Sequence, residues 1–203
     1  VQTRNPSLQP REFLHELRKI CDELGIALIF DEMVTGFRIR LGGAQEYFGV
    51  KADMVLYGKL IAGGMPIGIV AGDRKYLDAV DGGVWSSKDN SKPSVPTTFF
   101  AGTFCKHPLT MAVCKEVLLF MKENGEREIE RVNIFTKEFV DELNEYFEEA
   151  QVPLKMVNFG SLYKYEPLIS TDMPKMTLEL NLFFKLMANE GIYIWERRTC
   201  FFS

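Results

Sequence analysis

The sequence lacks the residues that mark several common classes of protein. It has two histidines, His15 and His107, far apart and beside no acidic cluster. Because that spacing does not supply the ligands of a zinc site, no metal is predicted. The four cysteines include no Cys-x-x-Cys pair, and a chain of 203 residues does not depend on a disulfide framework. Reduced thiols and a cytoplasmic location are therefore expected.

Strong charge and long apolar runs are also missing. The net charge is −4 and no basic stripe is present, so nucleic acid is not an expected partner. The longest weakly polar stretch, Leu60 to Gly72, contains Pro66 and several glycines. It falls short of the roughly 20 residues that a membrane-spanning helix needs, so we expect no membrane partner.

The order of predicted elements favours an open α/β layer with a mostly parallel sheet. A helical stripe covers Pro10–Leu24, and the continuous apolar run 26–30 fits a strand buried on both faces. Further strands are predicted at 54–57 and 67–71. Beyond them we predict helices at 107–122, 126–150 and 175–189 and short strands at 154–157, 161–165 and 192–195. We place a domain boundary near residue 125.

Two charged residues follow predicted strands directly. Asp31 ends the apolar run, and Lys59 lies two residues beyond the strand 54–57, next to the pair Gly63-Gly64. Ligands of open α/β sheets bind at the carboxyl ends of strands, and both residues lie there. Taken singly, each residue also has an ordinary structural explanation. A strand-end Asp is often a helix cap or a loop residue, and a lysine near glycines is usually solvated.

An amine and a carboxylate at one sheet edge suit a pyridine-type cofactor. The lysine bonds the cofactor aldehyde, and the carboxylate keeps the ring nitrogen protonated so that the ring accepts electrons. The lysine and the carboxylate would bind opposite parts of one ring and need not contact each other. A nucleotide-binding module is disfavoured, because no Gly-rich phosphate loop follows a strand.

Three segments resemble the class III aminotransferases, the group that includes glutamate-1-semialdehyde aminomutase. They are Ile29-Phe30-Asp31-Glu32-Met33-Val34-Thr35-Gly36-Phe37-Arg38, Tyr57-Gly58-Lys59-Leu60-Ile61-Ala62-Gly63-Gly64-Met65-Pro66-Ile67-Gly68 and Ala101-Gly102-Thr103-Phe104-Cys105-Lys106-His107-Pro108-Leu109. The resemblance implies the α/β fold of pyridoxal-phosphate (PLP) transferases, fold type I. Residues 1–125 would be part of the PLP-binding large domain. Residues 126–203 would be a linking helix and the start of the small α+β domain.

The same resemblance implies a role for each matching residue. Lys59 would bond PLP and shuttle protons, and Asp31 would pair with the ring nitrogen. Met33 would lie against the ring face, with plain core packing as the alternative. Thr103 would bind the cofactor phosphate of a neighbouring subunit, which implies a homodimer with shared sites; its alternative is a loop hydroxyl.

Within the family, three segments resemble aminotransferase domains of hybrid polyketide/nonribosomal peptide synthetases of the mycosubtilin/iturin and microcystin type. These are residues 1–10, 97–109 and 195–203. The implied reaction moves an amino group from an amino-acid donor to a β-ketoacyl thioester held on a carrier protein. The alternatives are a free-standing glutamate-1-semialdehyde 2,1-aminomutase or ω-aminotransferase, and a catalytically inactive scaffold domain.

The chain is expected to be a fragment of a longer enzyme. It has no initiator Met and stops in the apolar run Cys200-Phe201-Phe202-Ser203. The resemblance places the phosphate-binding loop and the ring-stacking aromatic residue upstream of Val1, and the rest of the small domain downstream. The isolated chain is therefore expected to bind PLP poorly and to be inactive.

Overall fold

The computed structural model of the chain describes residues 10–168, 173–194 and 198–202. Contacts divide the chain into two units, Val1–Gly125 and Glu126–Ser203, each with its own core. That these units are parts of the large and small domains of an enzyme stays a prediction. No described helix is both long and apolar enough to cross a membrane.

The first unit opens with helix α1, Pro10–Leu24, which has the predicted bounds. Leu14 and Cys21 lie on its buried side. The helix ends because Gly25 adopts a left-handed φ of 64°, which glycine reaches without steric cost. The Ile26 amide then donates to the Cys21 carbonyl at 2.8 Å and closes the last turn.

A three-stranded sheet follows, in the order β1-β2-β3. Strand β1 is Ile29–Asp31, β2 is Met54–Gly58 and β3 is Gly68–Gly72. The first pair is parallel, with Asp31 opposite Leu56. The second pair is antiparallel.

The prediction of a mostly parallel sheet is therefore wrong for the described strands, which form a mixed sheet. A parallel pair needs a crossover of a dozen or more residues. Segment 32–53, which holds helix α2 (Gly43–Phe48), is long enough to join β1 to β2. Segment 59–67 is shorter and carries one turn of 3₁₀ helix, Lys59–Ala62, so β3 returns antiparallel.

Strand β1 is shorter than the apolar run that predicted it. The chain pairs from Ile29 onward, while the Leu28 amide donates at 2.7 Å to a carboxylate oxygen of Asp53. The same oxygen accepts from the Arg18 guanidinium of α1 at 2.8 Å. Asp53 therefore ties α1, the start of β1 and the start of β2 together. The predicted burial of β1 on both faces is not present in this chain, where Phe30 is buried and Ile29 is half exposed.

Helix α4, Pro108–Glu149, is one continuous helix where the sequence predicted two. The predicted break spans residues 123–125 and includes Gly125, a residue type that weakens a helix interior. At this position a Cβ would lie 2.8 Å from Leu41 Cδ1, so the missing side chain makes room for a neighbour. Helix α3, Arg74–Asp81, precedes it in the first unit.

The second unit packs helices against an antiparallel sheet. Its strands are β4 (Leu154–Phe159), β5 (Leu162–Pro167) and β6 (Cys200–Phe201), and its last helix is α5 (Met173–Asn189). Asn144 of α4 bonds both the amide and the carbonyl of Met156 on β4, at 2.7 and 2.9 Å. The core cluster comprises Val140, Phe147, Leu154, Met156, Leu180 and Phe184.

The strand predicted at 192–195 is not found. Residues 192–194 are irregular, and Trp195 lies outside the described residues. The edge of β5 is paired instead with Cys200 and Phe201. Residues 1–9, 195–197 and 203, which carry much of the resemblance to assembly-line domains, also lie outside the described residues.

Asp53→Asn should lower the free energy of unfolding by about 1.5–3 kcal/mol at pH 7, because two charge-assisted hydrogen bonds weaken. The Leu28 amide and the Arg18 guanidinium hold the pKa of the Asp53 carboxyl below its ordinary value. Its stabilisation is therefore present above the unfolded pKa of about 3.9 and lost as pH falls through the lower folded pKa.

Urea denaturation of the wild type and Asp53→Asn across pH 3–8 measures this effect, and the gap between them should close only in the acid range. Asp73→Asn is the control, since that carboxylate makes only an exposed ion pair with Lys51. Equal destabilisation by the two substitutions would contradict the assignment.

Candidate functional site

Asp31 and Lys59 lie at the same edge of the first sheet. Asp31 is the last residue of β1, and Lys59 directly follows β2. Because the strands are parallel, their carboxyl ends meet at one edge. Lys59 lies three residues past Leu56, the partner of Asp31, which corresponds to about 10 Å along the strand direction. Both side chains are exposed.

The backbone of Lys59 is left-handed, with φ of 53°, which is rare for a residue with a side chain. In a continuing strand, alternation would place residues 56 and 58 on the face of Asp31 and residue 59 on the other face. The left-handed turn ends that alternation at Lys59. Because the strand ends here, its alternation no longer determines on which face of the sheet the Lys59 side chain lies.

Met33 packs against the residue that precedes Lys59. A Cβ built on Gly58 would lie 2.5 Å from Met33 Cε and 2.9 Å from the Ile67 carbonyl oxygen. The glycine thus lets the methionine side chain approach the backbone of β2. The structure brings Met33 and Lys59 to adjoining positions, whereas contact of Met33 with a cofactor ring stays a prediction.

One oxygen of the Asp31 carboxylate is already engaged. Asp31 Oδ1 accepts from the Met33 amide at 2.9 Å, which closes a short turn after β1. Among the described residues no ion pair involves Asp31 or Lys59. Both groups are therefore available to a ligand.

Thr103 lies in a different environment. It is exposed in the turn 103–106 that precedes α4, beside Phe104, which is 78% exposed. No hydrogen bond joins it to Asp31 or Lys59 in the described part of the chain. A role of Thr103 at a cofactor phosphate therefore stays a prediction.

Glu32 is a residue of the site that the sequence analysis missed. Its side chain is 2% exposed, and its carboxylate accepts from the Ala44 and Gln45 amides of α2 at 3.0 Å each and from the Thr35 hydroxyl. A Cβ on Gly43 would lie 2.6 Å from Glu32 Oε2. The sequence offered one weak signal: helix α2 begins at Gly43 directly after Gly42, and these glycines have no side chain to cap its first amides.

Burial, together with the nearby charge of Glu32, raises the pKa of the Tyr57 phenol. Tyr57 packs against Phe37 with ring centroids 5.6 Å apart, on the sheet face opposite Gly58. The interior behind the site therefore holds a neutral phenol and a carboxylate anchored by backbone donors.

This arrangement suits a ligand with an electrophilic carbon at one end and a basic nitrogen at the other. Within the residues that the structure describes, no three His, Cys, Asp or Glu side chains converge to hold a metal. A shallow apolar hollow of about 380 Å³ on α4 is lined by none of the predicted site residues.

Comparison with known proteins decides the family. The family model described as aminotransferase class-III matches residues 7–199. The chain belongs to the class III aminotransferases. This class III chain is 33% identical to a glutamate-1-semialdehyde 2,1-aminomutase of Lachnoclostridium phytofermentans, over 91% of the chain and 42% of that relative. It thus spans less than half of the relative's length.

Two solved structures show the same architecture. An ω-transaminase from Sphaerobacter thermophilus superposes with a TM-score of 0.76 at 26% identity, over 95% of the class III chain and 43% of its own. A transaminase with PLP bound gives a TM-score of 0.74 at 26% identity, over 95% of the class III chain and 42% of its own. The predicted fold class, a partial α/β PLP-transferase fold of type I, is confirmed.

Proposed function

We propose that the full-length protein is a PLP-dependent aminotransferase in which Lys59 and Asp31 hold the cofactor. The observation that carries the proposal is an exposed amine and an exposed carboxylate at adjacent ends of parallel strands, in a chain of the class III family. The proposal extends to the whole enzyme, of which this chain spans less than half when measured against its relatives.

The residues present fit PLP chemically. When bound, PLP supplies an aldehyde and a protonatable ring that withdraws electrons from the substrate. The Lys59 amine is free of ion pairs in the described residues and can bond the aldehyde. Asp31 keeps one carboxylate oxygen free of the turn bond to Met33, and that oxygen can face a ring nitrogen.

Each residue then has a distinct task. Asp31 holds a proton on the ring nitrogen, because a nearby carboxylate favours the charged form of a base. Lys59 would hold the cofactor, and its amine would be the group that carries a proton to and from the substrate carbon. Met33, in contact with Gly58, provides an apolar surface that excludes water from one side of the ring.

Asp31→Asn should lower turnover at least about 100-fold, because a neutral amide no longer stabilises a protonated ring nitrogen. The fold should persist, since the Asn carbonyl can still accept from the Met33 amide. In the wild type and in Asp31→Asn alike, borohydride should fix the cofactor to Lys59, as peptide mass spectrometry would show. Recovery of the cofactor on another lysine, such as Lys51, or near-normal turnover of Asp31→Asn would refute these roles.

The finer proposal concerns the acceptor. We propose a β-ketoacyl thioester on a carrier protein, because residues 1–10, 97–109 and 195–203 resemble aminotransferase domains of hybrid polyketide/nonribosomal peptide synthetases. A free-standing aminomutase or ω-aminotransferase is the second candidate. It is favoured by the 33% identity to a glutamate-1-semialdehyde aminomutase and by the likeness to an ω-transaminase.

The two candidates separate in an acceptor assay. With an amino-acid donor, the full-length protein should aminate a β-ketoacyl group loaded on a carrier protein and leave glutamate-1-semialdehyde unchanged. Intact-protein mass spectrometry of the carrier detects the product, and Asp31→Asn is the inactive control. Conversion of the semialdehyde alone would favour the second candidate, and PLP binding without turnover of any acceptor would favour a scaffold.

We further propose that Thr103 completes the site of a second copy. Its segment is exposed and apolar, with Phe99 and Phe104 exposed by 92% and 78%. Exposed aromatic side chains in one short segment are typical of protein interfaces. The Thr103 hydroxyl would then donate to the cofactor phosphate bound by the partner.

Thr103→Ala should weaken PLP retention about ten-fold, the equivalent of one hydrogen bond to a charged group. The dimer should persist, as size-exclusion chromatography with light scattering would show. Thr98→Ala is the matched control, because its hydroxyl lies in the same loop. Equal PLP retention by monomers and dimers would contradict a shared site.

A further inference from the structure

Glu32 is the most buried charged side chain beside the proposed cofactor site, and it lies between the two residues expected to contact the ring. Its neighbours Asp31 and Met33 are exposed and half buried, whereas Glu32 is 2% exposed. A carboxylate is costly to bury unless hydrogen bonds replace its water. Here two backbone amides and one hydroxyl replace it.

The main chain of Glu32 is fixed as well. Its amide donates to the Leu56 carbonyl of β2 at 2.9 Å, and its carbonyl accepts from the Gly36 amide at 2.9 Å. A Cβ on Gly36 would lie 2.8 Å from that carbonyl oxygen, so the turn closes tightly on Glu32. Glu32 therefore has anchors on β2, on the following turn and on α2.

Met33 has fewer anchors. The register between β1 and β2 ends at Asp31, and among the described residues the Met33 amide bonds the Asp31 carboxylate alone. That bond joins Asp31 and Met33 to each other and to no other element. Glu32, the residue between them, is bonded to β2, to the following turn and to α2.

We propose that Glu32 is a positioning residue of the cofactor site: its buried carboxylate, bonded to the first amides of α2, fixes the backbone from which Asp31 and Met33 project. The inference rests on the proposed function, because it concerns alignment of Asp31 and Met33 toward PLP. Glu32 itself is buried, and among the described residues its carboxylate bonds Thr35, Ala44 and Gln45 and not Lys59.

Glu32→Gln is the direct test in the full-length enzyme. The Gln side chain has the same size, but in either orientation its NH₂ group faces a backbone N–H, of Ala44 or of Gln45, and that hydrogen bond is lost. We expect kcat to fall about 10- to 100-fold, because misplacement near 1 Å has effects of this size. The KM of the amino donor should change less than about three-fold, because donor binding does not use Glu32.

Hydrogen exchange of the cofactor-free enzyme gives a readout that does not depend on activity. In Glu32→Gln, exchange of the Ala44, Gln45 and Met33 amides should accelerate at least about ten-fold, as their local opening becomes easier. Glu46→Gln is the matched control. Glu46 caps the same helix through the Gly42 amide at 2.7 Å but is exposed, so only Gly42 should exchange faster and kcat should not change.

Each outcome of these experiments supports or overturns the proposed role of Glu32. Faster exchange at Ala44 and Gln45 with unchanged Met33 exchange and unchanged kcat would overturn the proposal and leave Glu32 as an anchor of α2 alone. If the wild type does not fix PLP at Lys59, the proposed function fails, while the exchange at Met33 still reports whether Glu32 positions this segment.

If Glu32→Gln does not fold, Thr35→Val replaces it. The valine removes one donor to the carboxylate at nearly constant volume, and Thr35→Ser keeps the hydroxyl. In the valine variant, kcat should fall and the Met33 amide should exchange faster. In the serine variant, both kcat and the protection of the Met33 amide from exchange should be retained. Equal kcat in the two variants would overturn the proposal.

Discussion

The parallel pairing of β1 with β2 is the constraint on which the rest of the site depends. It places the ends of both strands at one edge and sets Asp31 opposite Leu56. A slip by one residue would reverse the face of every side chain on β1. Asp53 resists that slip, because it bonds the Leu28 amide and the Arg18 guanidinium at the other end of the same strands.

Two adjacent carboxylates have opposite surroundings because the backbone alternates between them. Asp31 lies at the surface with one bond from a backbone amide, and Glu32 is enclosed by donors of α2 and Thr35. The exposed acid is available to a ligand, while the buried one is fully occupied by the protein. The roles that we propose for these carboxylates, one at the cofactor and one in positioning, thus fall on neighbouring positions of one short segment.

The sequence predicted the positions of Asp31 and Lys59 because each follows an apolar run, and such runs mark strands whatever their surroundings. The sequence could also have predicted that β3 runs antiparallel to β2, since segment 59–67 is too short for the crossover that a parallel pair needs. The continuity of α4 through Gly125 could not be predicted, because glycine weakens a helix interior and the contact with the distant Leu41 is not visible in the sequence. Glu32 was missed for a similar reason: its donors lie twelve and thirteen residues further along the chain.

The left-handed backbone of Lys59 has a consequence for how this protein tolerates change. For a residue with a Cβ this conformation costs about 1–2 kcal/mol, a cost that glycine avoids. A laboratory selection for heat resistance alone would therefore favour replacement of the one amine that the proposed chemistry requires. Thermostability and the proposed reactivity therefore conflict at this position, and a selection that also demands the proposed turnover would preserve the lysine.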